Sequence, residues 1–393
     1  MDIRIDWPLR GHSYSEEEIA AAGKIMRQSD SQLTQGNYVK KFEQDLTKYL
    51  GVEDVFVTMS CAHALDISAM LIEVEKGDEV IMPSHTYCAS ALAFARRGAT
   101  IKWADINPES LTISLESIKK LVTSKTKLVV VTHLYGLLCP EIQEISNFCK
   151  NNSIILIEDC AQSLGAKFKD KHCGTFGDIG CYSFHAQKNL TTLGEGGAIT
   201  VKDKDLSKKI SSLRLNGHAD FTNKKEYWLP AMINVDLTIE GVWPIKSTMN
   251  EVQAAVGSIV LCKLDELTQK RRERGALVRS ELAKYPELKF QKIYDSESHS
   301  HHLLPARYIS KKKSRDDLIK ILFEKYGIKA IVQFYPLHRY DLFKKTGLAN
   351  ASVPETDLFF DNMLSFPFSL TISDKDIDYL IQSIKKALIE LRD

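Results

Sequence analysis

No apolar run among the 393 residues approaches the length of a membrane span, and neither sign of charge prevails: 52 Lys and Arg face 51 Asp and Glu. The first absence argues against a membrane-spanning helix. The second removes the one-signed field that draws a chain to nucleic acid or an anionic membrane. Two local basic runs, Lys270-Arg271-Arg272 and Lys311-Lys312-Lys313, read as solvated helix faces or turns. Eight cysteines are scattered without a CxxC pair or a matching histidine spacing, so they read as buried thiols of a reducing compartment, with no metal site expected. The chain opens without a charged-then-apolar leader and contains no internal repeat or low-complexity linker. A cytoplasmic globular protein is the expectation.

What is present is hydrophobic patterning. With 44% hydrophobic residues the chain can bury a sizeable core. Residues 15 to 29 and 37 to 50 carry helical signals, the second ending before Gly51. Short Val/Ile-rich runs follow at Val55 to Thr58, Glu79 to Met82, Thr100 to Trp103, Leu128 to Thr132, Ile154 to Ile157, Gly180 to Phe184 and Ala198 to Val201. Runs of this length separated by helical stretches predict an α/β fold, with about seven mostly parallel strands between helices. Residues 1 to 250 form the expected large domain and residues 251 to 393 a smaller α+β one. The second begins with one long helix from 251 through the charged segment at 270 to 274. A strand near Leu303 to Ile309, a helix at Arg315 to Tyr326, a strand near Lys329 to Phe334 and a final helix capped by Ser373 complete it.

In such sheets ligands sit beyond the carboxyl ends of the strands. Ser60-Cys61-Ala62, Ser84-His-Thr-Tyr87, His133 with Tyr135, Asp159 with Gln162, and Ser183 with Lys188 all fall there. Lys188 stands apart from an ordinary surface lysine because hydroxyl residues and Gly194-Glu-Gly-Gly197 surround it. Glycines there permit a sharp turn or a close approach to a ligand. An amine in this setting suits a Schiff base with an aldehyde cofactor, whose ring nitrogen needs a carboxylate to keep it protonated. Asp159 can serve there, or can cap a helix. Pyridoxal 5′-phosphate (PLP) is the cofactor these groups suggest, with its phosphate at Ser60 to His63 and Ser183 and its ring against Tyr87.

Taken together, Leu33-Thr-Gln-Gly-Asn, Gly77 through Tyr87, Asp105-Ile-Asn-Pro, Glu158-Asp-Cys-Ala-Gln162, Gly174-Thr-Phe-Gly-Asp178, Ser183-Phe, Lys188, Gly194 to Gly197, Gln253-Ala-Ala and Tyr335-Pro-Leu-His338 span most of the chain. In them the sequence resembles the PLP-dependent sugar aminotransferases of the DegT/StrS family, of the fold type I class. The resemblance implies that Lys188 is the internal aldimine lysine, Asp159 pairs with the pyridinium nitrogen, Gln162 contacts the ring hydroxyl and Tyr87 covers the ring. Ser183 and the Cys61-Ala62 backbone then hold phosphate. It also implies ping-pong transamination of a keto sugar, nucleotide-linked in much of the family, by an amino acid donor such as glutamate, in a homodimer whose sites lie at the subunit interface. Lys188 argues against the dehydratase branch, which has His there.

The sequence departs from the family at three places. Trp243-Pro-Ile-Lys-Ser-Thr-Met249 replaces a segment that reaches the neighbouring subunit's phosphate, leaving Lys246 as the charge available for that contact. Cys61-Ala62 replaces Gly-Thr, and Gln333-Phe334 replaces His-Tyr. His185, Tyr335 and His338 are candidate substrate contacts, each with packing or the surface as its alternative. Arg214 and His218 read as loop-fixing residues, and His299, His301 and His302 as an exposed loop. The alternative functions are transamination of a smaller phosphorylated or free ketose or cyclic ketone, and a non-catalytic PLP-binding regulator.

Overall fold

The structure, a computed structural model, describes residues 2–28, 32–218 and 234–392. Two helices come first, α1 (Glu16–Arg27) and α2 (Asn37–Leu50). Ser15 caps α1 with Glu18 in a reciprocal box, and Gly51 closes α2 in the left-handed conformation. There follow β1 (Val55–Thr58), α3 (Cys61–Leu71), β2 (Glu79–Pro83), α4 (Ala89–Ala95), β3 (Thr100–Ala104), α5 (Leu115–Leu121), β4 (Thr126–Thr132), α6 (Ile142–Asn151) and β5 (Ile155–Asp159). A two-stranded hairpin, β6 (Lys167–Phe168) and β7 (Lys171–His172), precedes β8 (Ile179–Ser183), β9 (Gly197–Val201) and α7 (Lys204–Leu213).

The large sheet has seven strands in the order β1-β9-β8-β5-β4-β2-β3. Pairs from β8 through β3 are parallel, whereas β9 runs antiparallel to both β8 and β1. Each short run expected from the sequence is a strand of this sheet. Strand β4 shows why its strands read as continuous apolar runs. Val129 and Val131 enter one core with Phe42, Ile118 and Ile142, while Leu128 and Val130 enter the other with Ala64, Phe94 and Ile210. A strand covered on both faces has no polar side to alternate with.

The remainder runs α8 (Glu251–Cys262), α9 (Leu264–Leu282), β10 (Leu288–Phe290), β11 (Leu304–Tyr308), α10 (Arg315–Tyr326), α11 (Asp341–Lys345), α12 (Pro354–Asn362), β12 (Met363–Phe366) and α13 (Asp374–Glu390). Strands β10, β11 and β12 make a second, antiparallel sheet. It shares a core with Ile377, Leu380, Ile381 and Ile384 of α13, the face its spacing predicted. Two expectations fail here, and one strand went unforeseen. The helix from 251 is two helices that meet at Lys263, which caps both. Residues 329 to 334 form no strand beyond a single bridge at Ile331 to Ser365. The sheet's third member is instead Met363–Phe366, a short run that the helical pattern before it concealed.

No helix among the described residues is long and apolar enough to cross a membrane.

Candidate active site

Beyond the carboxyl ends of the parallel strands lies a cavity of about 480 Å³. Among its lining residues are Ser60, Cys61 and Ala62 before and in the first turn of α3, Tyr87 and Ser90 around the start of α4, and Thr132 at the end of β4. Asp159, Gln162, Ser183, His185, Lys188 and Glu195 complete the side formed by the large sheet. Of the strand-end residues singled out from the sequence, Ser60, Cys61, Ala62, Tyr87, Asp159, Gln162, Ser183 and Lys188 share this space, whereas Ser84, His85, His133 and Tyr135 do not line it.

The Lys188 side chain is half-buried at this wall. Withdrawal from water lowers its pKa below the ordinary 10.5, against the opposing pull of Cys61, Asp159 and Glu195. A lysine so shifted offers its neutral amine at lower pH than a surface lysine, as a Schiff-base lysine requires. Gly11 packs directly on its backbone: a Cβ there would lie 2.2 Å from the Lys188 carbonyl oxygen, so no other residue fits without movement.

Asp159, buried at the end of β5, is held from two sides. Ser90 Oγ donates to its Oδ2 at 2.6 Å and the Ala161 N–H to its Oδ1 at 3.1 Å. Cys61 Sγ lies 3.9 Å from Oδ1. Gln162 accepts from the Tyr135 N–H at 2.6 Å through Oε1, which fixes its amide in the cavity wall. Tyr87 is 58% exposed, and its ring stands 6.4 Å from Phe334, edge to face. Opposite, the start of β9 presses against α3: a Cβ on Gly197 would sit 2.6 Å from the Cys61 nitrogen. The first-turn N–H groups of α3, beside Ser183, are the kind of cradle an anion takes.

Four lining residues own buried polar atoms without a hydrogen-bond partner: Thr132 Oγ1, Arg271 Nε, His302 Nδ1 and Gln333 Oε1. Buried polar groups are normally satisfied, so such a concentration around one cavity is the mark of a site whose ligands complete it. A phosphorylated aromatic aldehyde fits the donor set, with an amine, a carboxylate, a helix start and an exposed aromatic ring around one space.

Three candidates lie outside this lining. Lys246 is exposed, close in sequence to Trp243, which is 78% exposed. Tyr335 packs on Tyr340 and Phe360. His338 shares a 2.7 Å hydrogen bond with Ser84 Oγ and faces Asp357 at 3.3 Å, tying the segment after residue 334 to the end of β2. His185 does line the cavity, with Nε2 3.9 Å from Glu195. Arg214 contacts Glu43 and the Val57 carbonyl at 2.5 and 2.6 Å, a loop-fixing role.

Two readings are overturned. His299, His301 and His302 are all buried, and Arg271 is 1% exposed despite its basic run. The charged segment of α9 faces inward at this point because the loop at 299 to 302 and residues 7 to 11 fold over it. Sequence reasoning also missed Ser90, Thr132, Trp7, Arg10 and Glu195. Thr132 ends a recognised strand and was within reach of the strand-end rule. Trp7 and Arg10 carried no signal, because only tertiary packing brings the N-terminal segment to the cavity.

Among the described residues, one trio could approach a metal, His133, Glu158 and Cys160. Its Glu158 is already saturated by His133 and three backbone N–H groups.

Against known proteins, the model of the DegT/DnrJ/EryC1/StrS aminotransferase family matches residues 12–385. The chain is 30% identical over 357 residues to the spore coat polysaccharide biosynthesis protein SpsC of Bacillus subtilis, covering 90% of each chain. It is also 30% identical to the dTDP-3-amino-3,6-dideoxy-alpha-D-galactopyranose transaminase of Aneurinibacillus thermoaerophilus, over 89% of this chain and 90% of the other. The crystal structure of the aminotransferase TlmJ from Streptoalloteichus hindustanus superposes with a TM-score of 0.88 at 26% identity, covering 99% of this chain and 100% of that one.

Proposed function

The chain belongs to the DegT/DnrJ/EryC1/StrS aminotransferase family and is an aminotransferase, and from that premise we propose that it converts a nucleotide-linked keto sugar to an amino sugar. Glutamate is the proposed amino donor, and the two half-reactions alternate in ping-pong order. One observation carries the reading: the Lys188 amine and the Asp159 carboxylate line the same cavity as the first turn of α3.

PLP, when bound, would hold the amino group between the two half-reactions and take up the electron pair left as each proton is removed. Lys188 is assigned its covalent attachment, and Asp159 holds a proton at the ring nitrogen. Ser90 positions Asp159 by donating to its Oδ2. Gln162 is placed for the ring hydroxyl and Tyr87 for the ring face. Ser183, Cys61 and Ala62 offer the phosphate its donors. Lys188 Nζ then removes the donor's α-proton and later delivers a proton to the acceptor carbon, acting as base and acid in turn. His185 stands at the same wall and is assigned to substrate, whereas Tyr335 and His338 are assigned to support of the Gln333-Phe334 segment.

We keep the division into residues 1–250, which bring Lys188 and Asp159, and 251–393, which bring Arg271, His302 and Gln333. The exposed Lys246 is assigned to a neighbouring subunit's phosphate in a homodimer. The relative from Aneurinibacillus thermoaerophilus is named for a dTDP-linked amino sugar, and it supports the nucleotide-linked assignment.

The test follows the cofactor's visible absorbance. Glutamate should bleach the holoenzyme, and one member of a panel of nucleotide-linked keto sugars should restore the colour while gaining an amino group by mass. Recovery with free ketoses alone would move the assignment to the smaller substrates. Recovery with no sugar at all would overturn it.

A further inference from the structure

Arg271 is among the largest fully buried side chains of the protein, yet among the described residues its partners are two backbone carbonyls and no carboxylate. Its Nη2 donates to the Gly11 carbonyl at 2.6 Å and its Nη1 to the His301 carbonyl at 3.3 Å, while Nε is buried without a partner. Burial lowers its pKa to about 10, and it remains a cation at neutral pH. A buried charge is ordinarily paired, because the cost of taking it out of water otherwise goes uncompensated. Arg279 also has unpartnered atoms, but it stacks on Phe290 and lies outside the cavity lining. Arg271 borders the cavity itself, beside His302, which is 5% exposed and has no partner at Nδ1.

Position narrows the anion. Gly11 joins the two groups: its carbonyl binds Arg271, and its Cα lies against the Lys188 backbone. An amino acid donor must bring its nitrogen to the atom that Lys188 Nζ serves, and its α-carboxylate is only two bonds from that nitrogen. The carboxylate therefore falls within a few bond lengths of Lys188. The phosphate cradle at α3 is built from a different element, and the nucleotide end of the sugar acceptor would extend away from the reacting carbon. Guanidinium is suited to this task, since its planar fork matches a carboxylate.

We propose that Arg271 and His302 form the subsite for the α-carboxylate of the amino donor, so that the enzyme selects amino acids over simple amines. This rests on the aminotransferase reading above. It adds residues that the sequence pattern placed on the surface.

The experiment uses the PLP-loaded enzyme and follows bleaching in the first half-reaction, with no sugar present. Each amino acid that reacts is paired with its decarboxylated amine, as glutamate with 4-aminobutyrate. The wild type should favour the amino acid. In Arg271→Met the ratio of the two rates should collapse by on the order of 30-fold or more, the loss expected when one member of a buried charge pair is removed. Arg271→Lys and His302→Asn, which disturb packing less, should lower the same ratio by smaller factors, with melting temperature and cofactor loading recorded for each. Equal losses for both members of a pair in all three variants would show a purely structural role and overturn the subsite. A fall in the affinity for UDP, with the glutamate ratio unchanged, would reassign the anion to a sugar diphosphate and overturn it too. If the wild type reacted with no amino acid, the parent reading would fail first, a result distinct from either.

Discussion

Glu158 and Asp159 are consecutive acids at the end of β5, and both are buried. Alternation along a strand sends them to opposite faces. Glu158 accepts from His133 Nε2 at 2.7 Å and from the N–H groups of Gly174, Phe176 and Gly177 at 2.8, 2.6 and 2.5 Å. Asp159 accepts from Ser90 and Ala161 and otherwise borders the cavity. The first carboxylate is fully occupied with holding the turn at 174 to 177 against the sheet. The second keeps room for a partner that the protein does not supply. Saturation, more than burial or residue type, separates the acid locked into the fold from the one that borders the cavity.

The contrast can be broken at four places, and the largest effect is expected at Lys188. Lys188→Ala should cut transamination by at least about three orders of magnitude, since it removes both the covalent attachment and the acid–base group. Its melting temperature should change little. Glu158→Gln should instead cost about 3–5 kcal/mol of stability in a denaturant titration, the range for breaking a buried pair, while the protein that remains folded stays active. The pH dependence follows from the same contacts. Burial pushes the Glu158 pKa up, but His133 and the backbone N–H groups outweigh it and hold the group below the ordinary 4.5. Its stabilisation is therefore complete above about pH 4.5 and lost as pH falls through the lower folded value. The wild type should lose stability in that acid window more steeply than the Gln variant.

Asp159→Asn should behave in the reverse sense, with activity down about 10²–10³-fold, a loss typical of one preorganised electrostatic contact, and stability nearly unchanged. Steady-state rates beside unfolding curves check both halves. If Asp159→Asn unfolded the protein and Glu158→Gln left it intact, the distinction drawn from saturation would be wrong. The smallest effect is expected from Ser90→Ala. Removing one hydrogen bond to a charged group is worth about 1.5–3 kcal/mol, so the rate should drop roughly ten- to a hundredfold. The pH at which the bound cofactor's spectrum changes should shift with it, which a packing defect alone would not do.

Much of this was legible in the sequence, and for a physical reason. Strands buried on both faces, such as Thr126–Thr132 and Ile155–Asp159, must be apolar throughout, and the chemistry-bearing residues must follow their ends. Lys188, Asp159, Gln162 and Ser183 were found that way. What escaped is what local pattern does not encode. Arg271 looks like any member of a basic run until residues 7 to 11 and 299 to 302 are folded over it. The histidines at 299, 301 and 302 read as a polar loop, yet the packing of α9 against that loop buries them; a Cβ on Gly275 would lie 2.2 Å from the His301 ring. Met363–Phe366 was hidden by the helix that runs directly into it. The first two failures concern residues whose environment is supplied by a segment distant in the chain.

The most direct measurement is borohydride reduction of the protein loaded with PLP, followed by proteolysis and mass spectrometry. The peptide containing Lys188 should carry the cofactor's mass as a stable adduct, and Lys188→Ala should carry none. Loaded protein with the adduct on another lysine, or with no adduct on any peptide, would contradict this attachment.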